Sequence, residues 1–314
     1  MKRKILITSP AYFDAEAVAL FQQLGEVTAQ EMSKEELLQQ VQNYDVLAIR
    51  VDTTVDREIL DAAKNLKVIA SGTTGVNHID LEYAKKKGIE VISLQGANTV
   101  ATAEHALALM LGLMRNVPAA HSSLLSGKWN RAMFIGTELF GKKLGVIGFG
   151  RIGRDIAKVA VHFGMHILAY DPYLPENVFA EHNATRSTSP DAIFSEADVI
   201  TLHVLLTEET RNLVNKQRLA LMKPTSVLIN CSRGEIVSEP DLVDALKNKK
   251  IAGAALDVFV NEPLPTDSHL IHYAQQHHNL ILTPHIAGST KEAIRDAGLF
   301  VATKTREYFA GRGK

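Results

Sequence analysis

Short apolar runs alternate with amphipathic stretches along nearly the whole chain. Runs at residues 5–8, 46–50, 68–70 and 91–93 predict strands, and helical periodicity at 14–24, 55–63 and 81–87 predicts helices between them. A second series begins at 144–148, continues through 166–170, 199–203, 226–230 and 253–256, and closes at 280–282. The last patterned stretch, 291–309, reads as a helix. Such alternation is the signature of βαβ units, so the expected class is α/β, with parallel sheets covered by helices on both faces.

Between the two series lies an Ala/Leu-rich stretch, 99–111, with Thr99 available as a cap and too few polar residues for a solvated helix. It is expected to be buried, between domains or subunits. A loop carrying Gly127, Lys128, Trp129, Asn130 and Arg131 follows. With 314 residues the chain has room for two domains of roughly 150 residues. Its 34 Lys and Arg against 35 Asp and Glu leave no bulk charge to coat a nucleic acid, so any partner must be recognised locally. The basic start gives way to polar residues at Thr8, Ser9 and Pro10, too early for a signal-peptide core, and no apolar stretch approaches the roughly 20 residues that cross a bilayer. One cysteine, Cys231, excludes an intrachain disulfide framework and suits a reducing cytoplasm. Cys231 reads as a small buried residue before it reads as a reactive thiol.

Gly148-Phe149-Gly150-Arg151-Ile152-Gly153 fits G-x-G-x-x-G directly after an apolar strand and before a helical pattern at 155–163. Gly148 permits the tight turn, Gly150 lets the backbone approach a pyrophosphate, and Gly153 lets helix pack on strand. The next strand ends in Asp171, 21 positions after Gly150, where a carboxylate holds ribose hydroxyls and repels a 2′-phosphate. NAD is therefore the expected cofactor, in preference to NADP.

Three further strands end in polar residues, at Asn230-Cys231-Ser232-Arg233-Gly234, at Asp257 through Glu262 to Pro265, and at Pro284-His285-Ile286-Ala287-Gly288. They offer one Arg, one Glu and one His at strand carboxyl ends, where open α/β sheets bind ligands. A 2-hydroxy or 2-oxo acid needs a planar cationic donor for its carboxylate and a group that moves a proton on or off oxygen. Arg233 and His285 suit those tasks, and Glu262 bonded to the other imidazole nitrogen would fix the tautomer. Each also has a plainer reading, as a surface ion pair, a loop acid and a strand-end histidine. For the 12 histidines, including adjacent His277 and His278, the solvated-loop reading is preferred and no metal site is expected. His105 and His203 read as structural or supporting residues.

Together these four motifs resemble the D-isomer-specific 2-hydroxyacid dehydrogenases over essentially the whole chain. The resemblance implies a Rossmann nucleotide domain, 99–290, inserted into a flavodoxin-like substrate domain, 1–98 and 291–314, with the active site in the cleft. It implies Arg233 as substrate clamp, His285 as acid and base, and Glu262 as its partner. Cofactor contacts are implied at Gly148, Gly150, Arg151, Ile152, Gly153 and Asp171. Further along the chain they are implied at Val204, Cys231, Ser232, Asp257, near the carboxamide, and Gly288. A homodimer joined through the nucleotide domains is implied as well.

Within the family, the loop from Ser71 to Asp80 resembles one whose backbone N–H groups, at Thr74, Gly75 and Val76, hold the substrate carboxylate. The stretch from Trp129 to Leu139 is most similar to the D-3-phosphoglycerate dehydrogenase branch, and Arg50 could hold a phosphate there or be a solvated strand-end charge. Val204-Leu205-Leu206 stands where the family often has a proline, and His78 replaces a frequent Asn. The branch implies D-3-phosphoglycerate and 3-phosphohydroxypyruvate as the reacting pair, in serine biosynthesis, with no regulatory domain expected on a chain ending at Lys314. A glyoxylate or hydroxypyruvate reductase is the alternative within the class, and an NAD-sensing scaffold the alternative outside it.

Overall fold

The computed structural model describes residues 2–94, 96 and 98–311. Met1, Gln95, Ala97 and 312–314, all inside the expected substrate domain, lie outside the described residues. Contacts divide the chain into two units, Met1–Asn98 with Gly288–Lys314, and Thr99–Ala287. The second crossing thus falls at Gly288, not at the expected 291, and a Cβ on Gly288 would come within 3.1 Å of the Asn98 amide in the same unit.

The first unit holds a five-stranded sheet, β1 (Arg3–Ile7), β2 (Gly25–Ala29), β3 (Val46–Ile49), β4 (Val68–Ser71) and β5 (Glu90–Ser93), in the order β2-β1-β3-β4-β5. Every pairing is parallel. β3 and β4 are buried along their whole length, which is why their sequences read as unbroken apolar runs. One face packs Phe13, Phe21 and the C-terminal helix Lys291–Gly311 through Ala297, Val301 and Ala302; the other packs Leu37, Ile59, Leu60 and Ile79. The structure adds β2 and the helix Lys34–Gln40, which the pattern does not predict. β2 is a half-exposed edge strand whose one large apolar residue is Val27, too little for a periodic signal.

The second unit holds seven parallel strands, β6 (Lys143–Ile147), β7 (His166–Tyr170), β8 (Ala184–Arg186), β9 (Val199–Leu202), β10 (Val227–Asn230), β11 (Gly253–Leu256) and β12 (Leu280–Leu282). Their order is β12-β11-β10-β9-β6-β7-β8, and the chain reverses direction across the sheet between β6 and β9. The Ala/Leu-rich segment is the helix Thr99–Met114; it buries Ala103, Ala106, Leu109, Met110 and Leu113 in the core that also holds Val146, Ile156 and Ile229. Thr99 is that helix's first residue, inside it and not ahead of it. A second helix, Val117–Leu125, precedes the Trp129 loop and was not predicted, because none of its residues is buried. β8, a three-residue edge strand, is also new. No helix among the described residues is long and apolar enough to cross a membrane.

Candidate active site

The dinucleotide turn is built by steric necessity in the second unit. Gly148 sits at φ +91°, and a Cβ there would come within 2.5 Å of the His203 carbonyl oxygen. A Cβ on Gly153 would overlap the Gly148 carbonyl, whereas around Gly150 there is open space. Gly150 is the N-cap of the helix Arg151–His162, whose first turn no side chain caps. The helix therefore begins at Arg151, earlier than the predicted 155. An open glycine at an uncapped helix N-terminus fits the pyrophosphate of a dinucleotide, which its dipole and N–H groups attract. Asp171 completes the fit. Its Oδ2 accepts from the Phe149 N–H at 3.0 Å and its Oδ1 from the Tyr173 N–H at 3.0 Å, which holds the carboxylate against the glycine turn. Val204 follows β9, and its nitrogen would lie 2.8 Å from a Cβ on Gly148.

Arg233, Glu262 and His285 all belong to the same unit. Glu262 Oε2 is 2.6 Å from His285 Nδ1, and Glu262 Oε1 accepts from the Phe259 N–H at 2.9 Å. Because an ionised carboxylate only accepts, His285 carries its proton on Nδ1 and turns Nε2 to the site. Burial pushes the Glu262 carboxyl up, but the bond and charge of His285, the Phe259 N–H and Arg233 outweigh it and hold the group below its ordinary range. The Arg233 guanidinium is lowered by burial against the opposing charges of Glu262 and Glu235, and an arginine remains a cation there. Behind it, Asn230 braces the loop: its Oδ1 accepts from the Ser232 backbone and hydroxyl at 3.0 and 2.6 Å, and its Nδ2 donates to the Arg233 carbonyl at 2.9 Å.

His285 has φ +52°, the left-handed region that a non-glycine residue adopts only at a cost. Asp257 holds it there. The Asp257 carbonyl accepts from the His285 N–H at 2.8 Å, and its carboxylate accepts from Thr283 Oγ1 at 2.6 Å and from the N–H groups of Ile286 and Ala287 at 2.9 and 2.8 Å. His105 Nε2, from the helix Thr99–Met114, lies 3.2 Å from both Asp257 Oδ1 and Thr283 Oγ1. Burial pushes the Asp257 carboxyl up, but His105, Thr283 and the two N–H groups hold it down. Asp257 is fully buried, and its carboxylate anchors the histidine loop. His105 is the supporting residue the sequence suggested, whereas Asn230 and Thr283 in this role are what sequence reasoning did not supply. Cys231 is buried, and burial with the Asp257 charge pushes its thiol up, so it stays protonated.

Arg50, Thr74, Gly75, Val76 and Gly288 belong to the first unit. Arg50 follows β3 with its guanidinium 5.0 Å from the centre of the Tyr12 ring, and a Cβ on Gly72 would come to 3.0 Å from Arg50 Cδ. Burial lowers its pKa, with Tyr12 and Asp52 opposing. Arg50 Nε is buried with no hydrogen-bond partner among the described residues. No metal-ligating cluster occurs among the described residues.

Residues 107–287 match the family model described as the NAD binding domain of D-isomer specific 2-hydroxyacid dehydrogenases. The chain is 42% identical over 98% of its length to a D-3-phosphoglycerate dehydrogenase of Methanocaldococcus jannaschii, of which it covers 58%. It thus spans little more than half the length of that relative. It is 39% identical to a hydroxypyruvate reductase of Thermotoga maritima, with 96% of each chain covered. Among solved structures, the D-lactate dehydrogenase of Aquifex aeolicus complexed with NAD and lactic acid superposes with a TM-score of 0.86 at 28% identity, covering 98% of this chain and 96% of that one. The chain belongs to the D-isomer specific 2-hydroxyacid dehydrogenase family, and its second unit carries that family's NAD binding domain.

Proposed function

We propose that the chain is an NAD-dependent oxidoreductase that interconverts a D-2-hydroxy acid and its 2-oxo acid, with D-3-phosphoglycerate and 3-phosphohydroxypyruvate as the reacting pair. The observation that carries this reading is the 2.6 Å bond between Glu262 and His285 on a loop pinned by Asp257, in the unit that also holds Arg233. NAD, when bound at the Gly148–Gly153 turn and Asp171, supplies the hydride acceptor or donor. Oxidising the alcohol then requires a base at its hydroxyl, and His285 Nε2 accepts that proton while Glu262 stabilises the imidazolium. Reduction runs the same proton back. Arg233 pairs with the carboxylate and polarises the adjacent oxygen. In the first unit, Thr74, Gly75 and Val76 are the loop whose backbone N–H groups suit a carboxylate. The orphaned, buried Nε of Arg50 supports a phosphate at the substrate's far end, since a buried donor without an acceptor is costly.

A hydroxypyruvate or glyoxylate reductase is the second reading, favoured by the Thermotoga maritima relative, of whose length the chain matches 96%. A homodimer formed through the second unit is supported by exposed apolar side chains on and after the helix Val117–Leu125, including Leu125, Trp129, Met133 and Ile135. The single cysteine supports a reducing cytoplasm as its location. The test is NADH oxidation against 3-phosphohydroxypyruvate, hydroxypyruvate, glyoxylate and pyruvate, run also with NADPH and with Arg50→Ala. The proposal expects preference for the phosphorylated acid, weakened about tenfold or more in Arg50→Ala as a charge-assisted bond is lost. Preference for hydroxypyruvate or glyoxylate, unaltered by Arg50→Ala, would install the second reading. Tight NADH binding without turnover of any acid would refute both.

A further inference from the structure

Beneath the Thr74–Val76 backbone in the first unit runs a chain of polar side chains whose direction is fixed from one end. Thr73 Oγ1 donates to the Gly75 carbonyl at 2.7 Å, and since a carbonyl only accepts, the one hydroxyl proton of Thr73 is committed there. Ser71 Oγ, 2.7 Å from Thr73 Oγ1, must then be the donor to Thr73. Its own proton so used, Ser71 Oγ is left to accept from His78 Nε2, 3.2 Å away. The relay therefore reads His78 N–H to Ser71, Ser71 to Thr73, Thr73 to the Gly75 carbonyl. Both hydroxyls are buried, so no water competes freely for these bonds.

The consequence for the loop follows from peptide geometry. The Gly75–Val76 bond is trans, and in a trans peptide the carbonyl and the following N–H point in opposite directions. With the Gly75 carbonyl drawn onto buried Thr73, the Val76 N–H is turned to the opposite side. We propose that His78 is a positioning residue for substrate: through Ser71 and Thr73 it locks the Gly75–Val76 peptide with its N–H presented to the planar carboxylate of a 2-oxo or 2-hydroxy acid. The inference rests on the reading above that this loop takes the carboxylate. It also gives physical content to the histidine at position 78, whose ring supplies the donor that starts the relay.

The relay can be cut at each link in the full-length protein. Thr73→Val removes one hydroxyl at nearly constant shape, Ser71→Ala removes the middle link, and His78→Leu removes the donor; His78→Asn retains an N–H that can donate to Ser71. In the first three, KM for the best 2-oxo acid is expected to rise about tenfold, the scale of one lost hydrogen bond, while kcat at saturation and the NADH dissociation constant hold. His78→Asn should restore most of the KM. Ser71→Ala with His78→Leu should be no worse than Ser71→Ala alone, because a chain is broken only once. Independently of activity, amide hydrogen exchange across the loop should quicken in the three broken variants and not in His78→Asn. Unchanged exchange in folded Thr73→Val and His78→Leu would overturn the relay, whether or not the wild type turns over any acid. Quickened exchange with an unchanged KM in an active wild type would overturn the role in substrate binding. Wild type without turnover would count against the functional reading alone, with the exchange experiment still deciding the relay.

Discussion

Replacing Glu262 with Gln tests the catalytic geometry with almost no change in shape. Two donors face the wild-type carboxylate, the Phe259 N–H at 2.9 Å and His285 Nδ1–H at 2.6 Å, and each takes its own oxygen. A glutamine has one acceptor oxygen and one NH2. If the oxygen stays on the Phe259 backbone, the NH2 meets His285 Nδ1, and the ring must carry its proton on Nε2 to avoid two facing donors. Nε2 is then blocked as a base for alcohol oxidation. Losing a charge-assisted hydrogen bond costs about 1.5–3 kcal/mol. The side chains are 33% and 26% exposed, so the lower half of that range applies, and kcat for oxidation is expected to fall about 10- to 45-fold. Steady-state kcat in both directions is the assay, with NADH affinity and melting temperature as controls that should stay near wild type. A kcat for oxidation within about threefold of wild type, less than one ordinary hydrogen bond is worth, would refute the assignment of Glu262 as the group that fixes the imidazole.

Other consequences are checked as directly. Gly234→Ala would drive a Cβ into the Phe259 backbone carbonyl, so the loops carrying Arg233 and Glu262 must separate; a stability loss of about 2 kcal/mol or more in urea is expected, and a wild-type midpoint would show the packing is looser than described. Burial pushes His203 down to about 3 from its ordinary 6.5, so the unfolded chain binds a proton there that the folded chain does not. Its contribution to stability is complete above pH 6.5 and declines as pH falls toward 3, by up to about 1.4 kcal/mol per unit; His203→Asn should flatten that slope in urea titrations, and an unaltered slope would contradict it. Asp171→Ser should raise the NADPH-to-NADH ratio of kcat/KM, since the carboxylate that repels a 2′-phosphate is gone; an unchanged ratio would take cofactor choice away from Asp171.

The parts of the fold most legible in the sequence were those whose signal is contiguous. β7, β11 and β12 fall on their predicted ranges, and in β11, buried along its whole length, the run of small and apolar residues is unbroken because neither face meets water. Gly148 and Gly153 are positions where a Cβ would collide with backbone, and Gly150 between them stands in open space at the helix start, so the three were legible together as one spaced motif after a strand. What escaped had either too few residues or too long a reach. β8 has three residues, and the helix Val117–Leu125 buries none, so neither leaves a hydrophobic period. The contact of His105 with Thr283 spans 178 positions, and nothing local in Ala-Glu-His-Ala distinguishes a histidine that braces a distant loop from one that fills a helix face. Likewise the positive φ of His285 has no sequence signature, because glycine and asparagine, its usual carriers, are absent there.

Arg233, Glu262 and His285 each follow a strand of the seven-stranded sheet, yet none is placed by its strand alone. Arg233 is set by Asn230, which clamps the turn from inside; Glu262 is set by the Phe259 N–H three residues before it; His285 is set by Asp257, which holds the loop backbone at three N–H groups. Asp257 and Asn230 are themselves linked, the Asp257 N–H donating to the Asn230 carbonyl at 2.9 Å. The three functional loops are therefore braced through two fully buried polar residues at the ends of adjacent strands. Substituting Asn230 leaves the buried Ser232 N–H without its acceptor and frees the Arg233 turn, and substituting Asp257 leaves the Ile286 and Ala287 N–H groups without theirs and frees the His285 loop, at a cost of about 1–3 kcal/mol for each orphaned group. The geometry of the site thus depends on Asn230 and Asp257 as much as on the three residues proposed to meet substrate.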